Sequence, residues 1–187
     1  VDRQVRGFTT GRCFTQTFGH GLRAEVLFSG DTIIASQDRG NPIWSTIWLQ
    51  HAMSLARACD RPLYWMLTSK GHLTYRFLPI WFKEFHPRCD RPTPADLSEP
   101  LDALGRDYGG SHYDAQRRVA RCTGGQRLRD AVAEPSQKAQ ANPHVKFFLE
   151  RNRGWRDGDE LVCIARLAAD NLRDSLAKRL QTLELSM

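Results

Sequence analysis

The stretch from Ile34 to Trp48 has the residue types and spacing that can hold a polyanion. A β-rich run ends in Gln37-Asp38-Arg39-Gly40-Asn41-Pro42, and a helical pattern begins immediately after it. A helix start offers backbone N–H groups and the positive end of the helix dipole, which suit a pyrophosphate. Arg39 would add a charge-assisted contact, and Gly40 would let the backbone approach a ligand closely. The same residues also serve an ordinary strand-to-helix turn. Ser45 is the candidate cap of the helix.

The elements around this junction follow from periodicity. Leu22 to Phe28 reads as a strand, Ser29-Gly30-Asp31 as a tight turn and Thr32 to Ser36 as a second strand, together a hairpin. Trp44, Ile47, Trp48, His51, Ala52 and Leu55 recur at the three-and-four spacing of an amphipathic helix, which Asp60-Arg61-Pro62 ends. Leu63 to Thr68 follows as an apolar strand, and a helix is expected from about Pro79 to His86. Val1 to Gly21 shows no clear period and is expected to be irregular. Residues 87–142 form an irregular insertion with short helical pieces, in which Gln126 to Glu134 looks helical. His144 to Glu150 and Glu160 to Leu167 are expected to pair as a second hairpin. A closing helix carries Leu172, Leu176, Leu180 and Leu183.

This order predicts an α/β (α+β) fold, a mostly antiparallel central sheet with one parallel pair, flanked by helices in one domain over residues 1–187. With 41% hydrophobic and 26% charged residues, the chain has ordinary globular composition. No apolar stretch reaches the roughly 20 residues of a membrane span. The chain begins at Val1 without a charged-then-apolar leader, so secretion is not expected. Its five cysteines lack a CxxC pair and its six histidines lack HxH or HExxH spacing, which suits a cytoplasmic protein without a metal. A net charge of +6 suits an anionic partner.

The layout resembles the GNAT acyltransferase superfamily. There a central hairpin's second strand leads through a pyrophosphate loop into a helix, the next strand splays from its neighbour, and acyl-CoA lies in the cleft. Residues 32–36, 38–42, 44–58, 63–68 and 72–82 would fill those places in order, and 144–150 with 160–167 would be the closing strands. The family's loop usually reads Q/R-x-x-G-x-G/A. Here Gln37 and Gly40 match, whereas Pro42 stands where the second small residue belongs, which leaves an acyl carrier protein open as the donor's vehicle.

The resemblance implies an N-acyltransferase moving an acyl group from a thioester to an amine acceptor. It implies Gln37, Arg39, Gly40, Asn41 and Ser45 around the cofactor, Tyr75 as acid to the leaving thiolate, and His72 as base to the amine. Glu25, on the facing strand, is an alternative base. The concentrated aromatics (Trp44, Trp48, Trp65, Trp81 among them) suit either a long-chain acyl pocket or plain core. The alternatives are a nucleic-acid-binding module using the Arg-rich 106–129 stretch and a catalytically inactive GNAT-like subunit. Nucleic acid is disfavoured because aromatic and basic residues do not alternate as a stacking platform would.

Overall fold

Six strands spread along the chain from Gly7 to Arg166 form one mixed sheet, and helices cover both its faces. The computed structural model describes residues 4–18, 21, 23–124, 127–128 and 134–184. The elements are β1 (Gly7–Thr17), β2 (Arg23–Ile34), α1 (Ile43–Ala58), β3 (Leu63–Ser69), α2 (His72–Tyr75), α3 (Phe77–Trp81) and α4 (Ala95–Gly109). They continue with β4 (Tyr113–Asp114), β5 (Val119–Ala120), α5 (Gln137–Gln140), α6 (Pro143–Arg151), β6 (Glu160–Arg166) and α7 (Asp174–Glu184). The strand order is β1-β2-β3-β6-β5-β4. β2 and β3, joined by the α1 crossover, run parallel, and their neighbours are antiparallel. The chain is thus an α/β protein with a mixed sheet. No helix among the described residues is long and apolar enough to cross a membrane.

Alternation along the strands divides the core in two. Leu27, Trp65, Leu67, Leu161 and Cys163 point to the face covered by α1, α2, α3, α6 and α7. Ala24, Val26, Met66, Val162 and Ile164 point to the other, covered by Leu101 and Leu104 of α4. β3 is therefore apolar nearly throughout, as a strand buried on both faces must be. On the first face Trp48, Trp65 and Trp81 have ring centroids 4.6–5.8 Å apart.

Several expectations are corrected. Ser29-Gly30-Asp31 is no turn: residues 23–34 form one strand, and its hairpin partner is β1, within the stretch expected to be irregular. The register shifts between Thr9 and Gly11. At that irregularity a Cβ on Gly30 would stand 2.5 Å from Thr10 Oγ1, so Gly30 serves close strand packing. Residues 144–150 are helical, and β6 pairs with β3 and β5 instead of forming a hairpin with them. Asn142 Oδ1 accepts from the N–H groups of His144 (2.9 Å) and Val145 (3.3 Å), and Pro143 opens the helix. The insertion contains the 15-residue α4, and the helix expected over Pro79 to His86 is instead two shorter ones ending at Trp81. The helix expected over Gln126 to Glu134 falls mostly outside the described residues.

Val145 and Phe148, three residues apart on one face of α6, are both fully buried. Phe148→Ala is expected to cost roughly 3–5 kcal/mol in urea denaturation. Lys146→Ala, on the exposed side, is expected to change stability by less than about 0.5 kcal/mol.

Candidate functional site

The loop between β2 and α1 satisfies most of its own polar groups. Ser36–Asp38 form a single 3-10 turn, and Gly40 has φ 81°, the left-handed value that glycine takes without strain. Ser45 does not cap α1: Pro42 is the N-cap, and Asn41 Oδ1, one residue earlier, accepts from Ile43 N–H at 3.0 Å. Ser45 Oγ donates to the Pro42 carbonyl at 2.9 Å, and Thr46 N–H reaches the same oxygen. Arg39 Nε donates to the Ile34 carbonyl at 3.4 Å, and Gln37 accepts from Ser36 Oγ. Gln37, Arg39, Gly40 and Asn41 are all exposed. Trp44 Nε1, on the first turn of α1, is buried without a hydrogen-bond partner.

Of the other sequence-predicted residues, His72 and Tyr75 share α2, and Glu25 lies apart from both. Tyr75 is completely buried, and its hydroxyl donates to the Pro87 carbonyl at 2.9 Å. Burial pushes its acidity far below that of an ordinary phenol. His72 is buried one turn earlier, at the start of α2. Glu25 is beside Leu63, at the opposite end of β3, and accepts from Thr15 Oγ1 and Arg61 Nη1, each at 3.0 Å. Six residues of strand, roughly 20 Å, separate the Leu63 level from Ser69. Glu25 and His72 do not meet.

What the sheet does create is a place where its parallel neighbours separate. The β2–β3 ladder runs from Glu25–Leu63 to Ser29–Leu67 and stops. β2 continues to Ile34 along β1, while Thr68 and Ser69 remain paired with Val162 and Leu161 of β6. At this mouth, on the α4 face, five side chains converge. The Tyr108 ring is 5.5 Å from Phe28, and its hydroxyl donates to Glu160 Oε2. Thr68 Oγ1 donates to Glu160 Oε1 at 3.4 Å, and Lys70 Nζ is 3.9 Å from that oxygen. Burial first, and then the Glu160 carboxylate, push the Tyr108 phenol up to about 12. A phenol held protonated beside a carboxylate can pass a proton in either direction. On the opposite face Trp65 Nε1 donates to Ser29 Oγ at 2.9 Å, fixing the last paired residue.

Sequence reasoning missed this group because its members come from four elements, β2, β3, α4 and β6, and from the turn after β3. Glu160 was visible only as part of an acidic run, and Tyr108 lay in a stretch without clear period. Of the Arg-rich stretch, Arg118 is held by Asp102, Thr93 and Ser98, whereas Arg121 and Arg127, 3.8 and 3.5 Å from Asp114 and Asp157, remain largely exposed. Cys89 Sγ lies 3.3 Å from His144 Nδ1, but burial raises the thiol's pKa and lowers the imidazole's, so the pair stays neutral. The described residues contain no cluster of three metal-ligating side chains. Comparison with family models, characterised proteins and solved structures finds no match.

Removing the carboxylate should relax the phenol. In Glu160→Gln the Tyr108 titration, followed by carbon NMR of ring-labelled tyrosine and assigned with Tyr108→Phe, is expected to move down from about 12 toward the ordinary value near 10. An unchanged midpoint would show that Glu160 does not act on it.

Proposed function

We propose that the chain is a GNAT-type N-acyltransferase that moves an acyl group from a CoA or carrier-protein thioester to an amine. The observation that supports it most is the parting of β2 from β3 beside the Tyr108–Glu160 pair. Past Ser29 the edge of β2 no longer bonds to β3, so its amides and carbonyls suit the amide groups of a pantetheine arm. The net charge of +6 suits an anionic donor. The free cysteines suit a reducing, cytoplasmic setting.

In this reading the thioester carbonyl lies at the mouth, between Phe28 and Thr68. The amine attacks it, a C–N bond forms, and the C–S bond breaks. Glu160 accepts the proton that the amine loses. Tyr108 gives its proton to the departing thiolate and recovers one from Glu160, so the pair returns to its starting state. Thr68 and Lys70 hold the carboxylate in place. Donor phosphates would bind at the start of α1, where Asn41 must yield Ile43 N–H and Arg39 must leave the Ile34 carbonyl. Trp44 Nε1–H is a further donor there. Positioning supplies much of the rate in such a transfer.

Thermal-shift screening against CoA thioesters from acetyl to palmitoyl, with free thiol release as the turnover assay, tests the reading. At least one thioester is expected to raise Tm, and Arg39→Ala to weaken that rise. Glu160→Gln is expected to keep the rise while lowering kcat by roughly 10²–10⁴. A shift without turnover would indicate a non-catalytic GNAT-like subunit. No shift with any donor contradicts the reading.

A further inference from the structure

The mouth between β2 and β3 already holds an amine. Lys70 is the first residue after β3, and its Nζ stands 3.9 Å from Glu160 Oε1. Thr68 Oγ1 donates to that same oxygen at 3.4 Å, and the Tyr108 hydroxyl donates to the other, Oε2. One carboxylate thus joins a phenol on one side to an ammonium on the other. The Lys70 side chain is 25% exposed and that of Glu160 17%, so the pair is shielded from most solvent but still reachable.

The other lysines with resolved pairings are set differently. Lys83 is 45% exposed and pairs with Asp174 of α7 at 2.8 Å. Lys146 is 71% exposed, on the outer side of α6, and lies 3.9 Å from Glu150. A thioester that reacts with surface amines at random acylates the more exposed lysines first. A thioester held at the mouth meets Lys70 first, because proximity replaces a collision.

We propose that Lys70 is an acyl acceptor within the chain: a thioester held at the strand parting transfers its acyl group to Lys70 Nζ. The inference rests on the acyltransferase reading and adds a modification site to it. An ammonium becomes an amide by losing two protons, and Glu160 accepts each in turn. The first passes through Glu160 to water. The freed amine then attacks the thioester carbonyl, a C–N bond forms and the C–S bond breaks. Glu160 takes the second proton while Tyr108 protonates the departing thiolate, and Glu160 then restores Tyr108. The products are an acyl-lysine and a free thiol. The acyl-lysine carries no charge, so Glu160 keeps Tyr108 and Thr68 but loses its ion pair.

The test incubates the full chain separately with acetyl-CoA, octanoyl-CoA and palmitoyl-CoA, without added amine, and times acylation at each lysine by peptide mass spectrometry. Tm shifts and thiol release with added propylamine are measured on the same preparations. With at least one thioester, Lys70 is expected to be acylated about tenfold or more faster than Lys146. Glu160→Gln is expected to slow Lys70 by roughly 10²-fold while Lys146 keeps its rate. Lys70→Arg, which retains a cation beside Glu160, is expected to lose the rapidly added mass. Acylation of Lys70 no faster than Lys146, or at an unchanged rate in Glu160→Gln, overturns the inference. Thiol release with propylamine in those samples would leave the acyltransferase reading intact. Neither a Tm shift nor thiol release with any of the three thioesters overturns both.

Discussion

Five paired positions join the two parallel strands at the centre of this sheet, and the point where that ladder stops organises the rest. Parallel pairing requires a crossover, which places the start of α1 near the end of β2. β3 must then bury both faces, which demands a helix layer on each side. One layer is the tryptophan-rich packing of α1 and α3, and the other is α4. Where β2 follows β1 and β3 stays with β6, the backbone of β2 loses a neighbour while the surrounding core stays closed.

The polar groups at this opening are held by the same elements that close the core. Leu101 and Leu104 seat α4 on the sheet, and the next turn of the helix delivers Tyr108. Val162 fixes β6 against Thr68, two residues after Glu160. The Tyr108–Glu160–Thr68 contacts thus rest on a packed apolar base that fixes their positions. By contrast, the loop between β2 and α1 spends its polar groups on itself, with Asn41 Oδ1 holding Ile43 N–H.

The sequence revealed the elements whose pattern is local. The amphipathic α1, the apolar β3 and β6, and the closing helix were legible from spacing alone. β1 was not, because it is an edge strand with exposed residues on both sides and no alternation to detect. Most of helix α6, His144 to Glu150, was read as a strand because it mixes Val145 with the aromatic Phe147 and Phe148. The Asn142-Pro143 start signal outweighed them. Two prolines, Pro94 and Pro100, concealed α4. The α1 loop was legible as a site candidate, but the Tyr108–Glu160 pair was not. Tyr108 and Glu160 are 52 residues apart, and Thr68 and Glu160 are 92 apart, distances over which only the fold can bring side chains together. Buried Tyr75 illustrates the converse: a residue type suited to chemistry, placed where the core needs its ring.

The claim on which the account turns is that the separated edge of β2 receives the donor. Hydrogen exchange read by mass spectrometry, with and without a CoA thioester, measures that edge directly. The account predicts slower exchange in peptides covering residues 30–34 and 67–70 when donor is present, with β1 and α6 unchanged. Identical exchange across those two segments, under conditions where the thioester is bound, would contradict it.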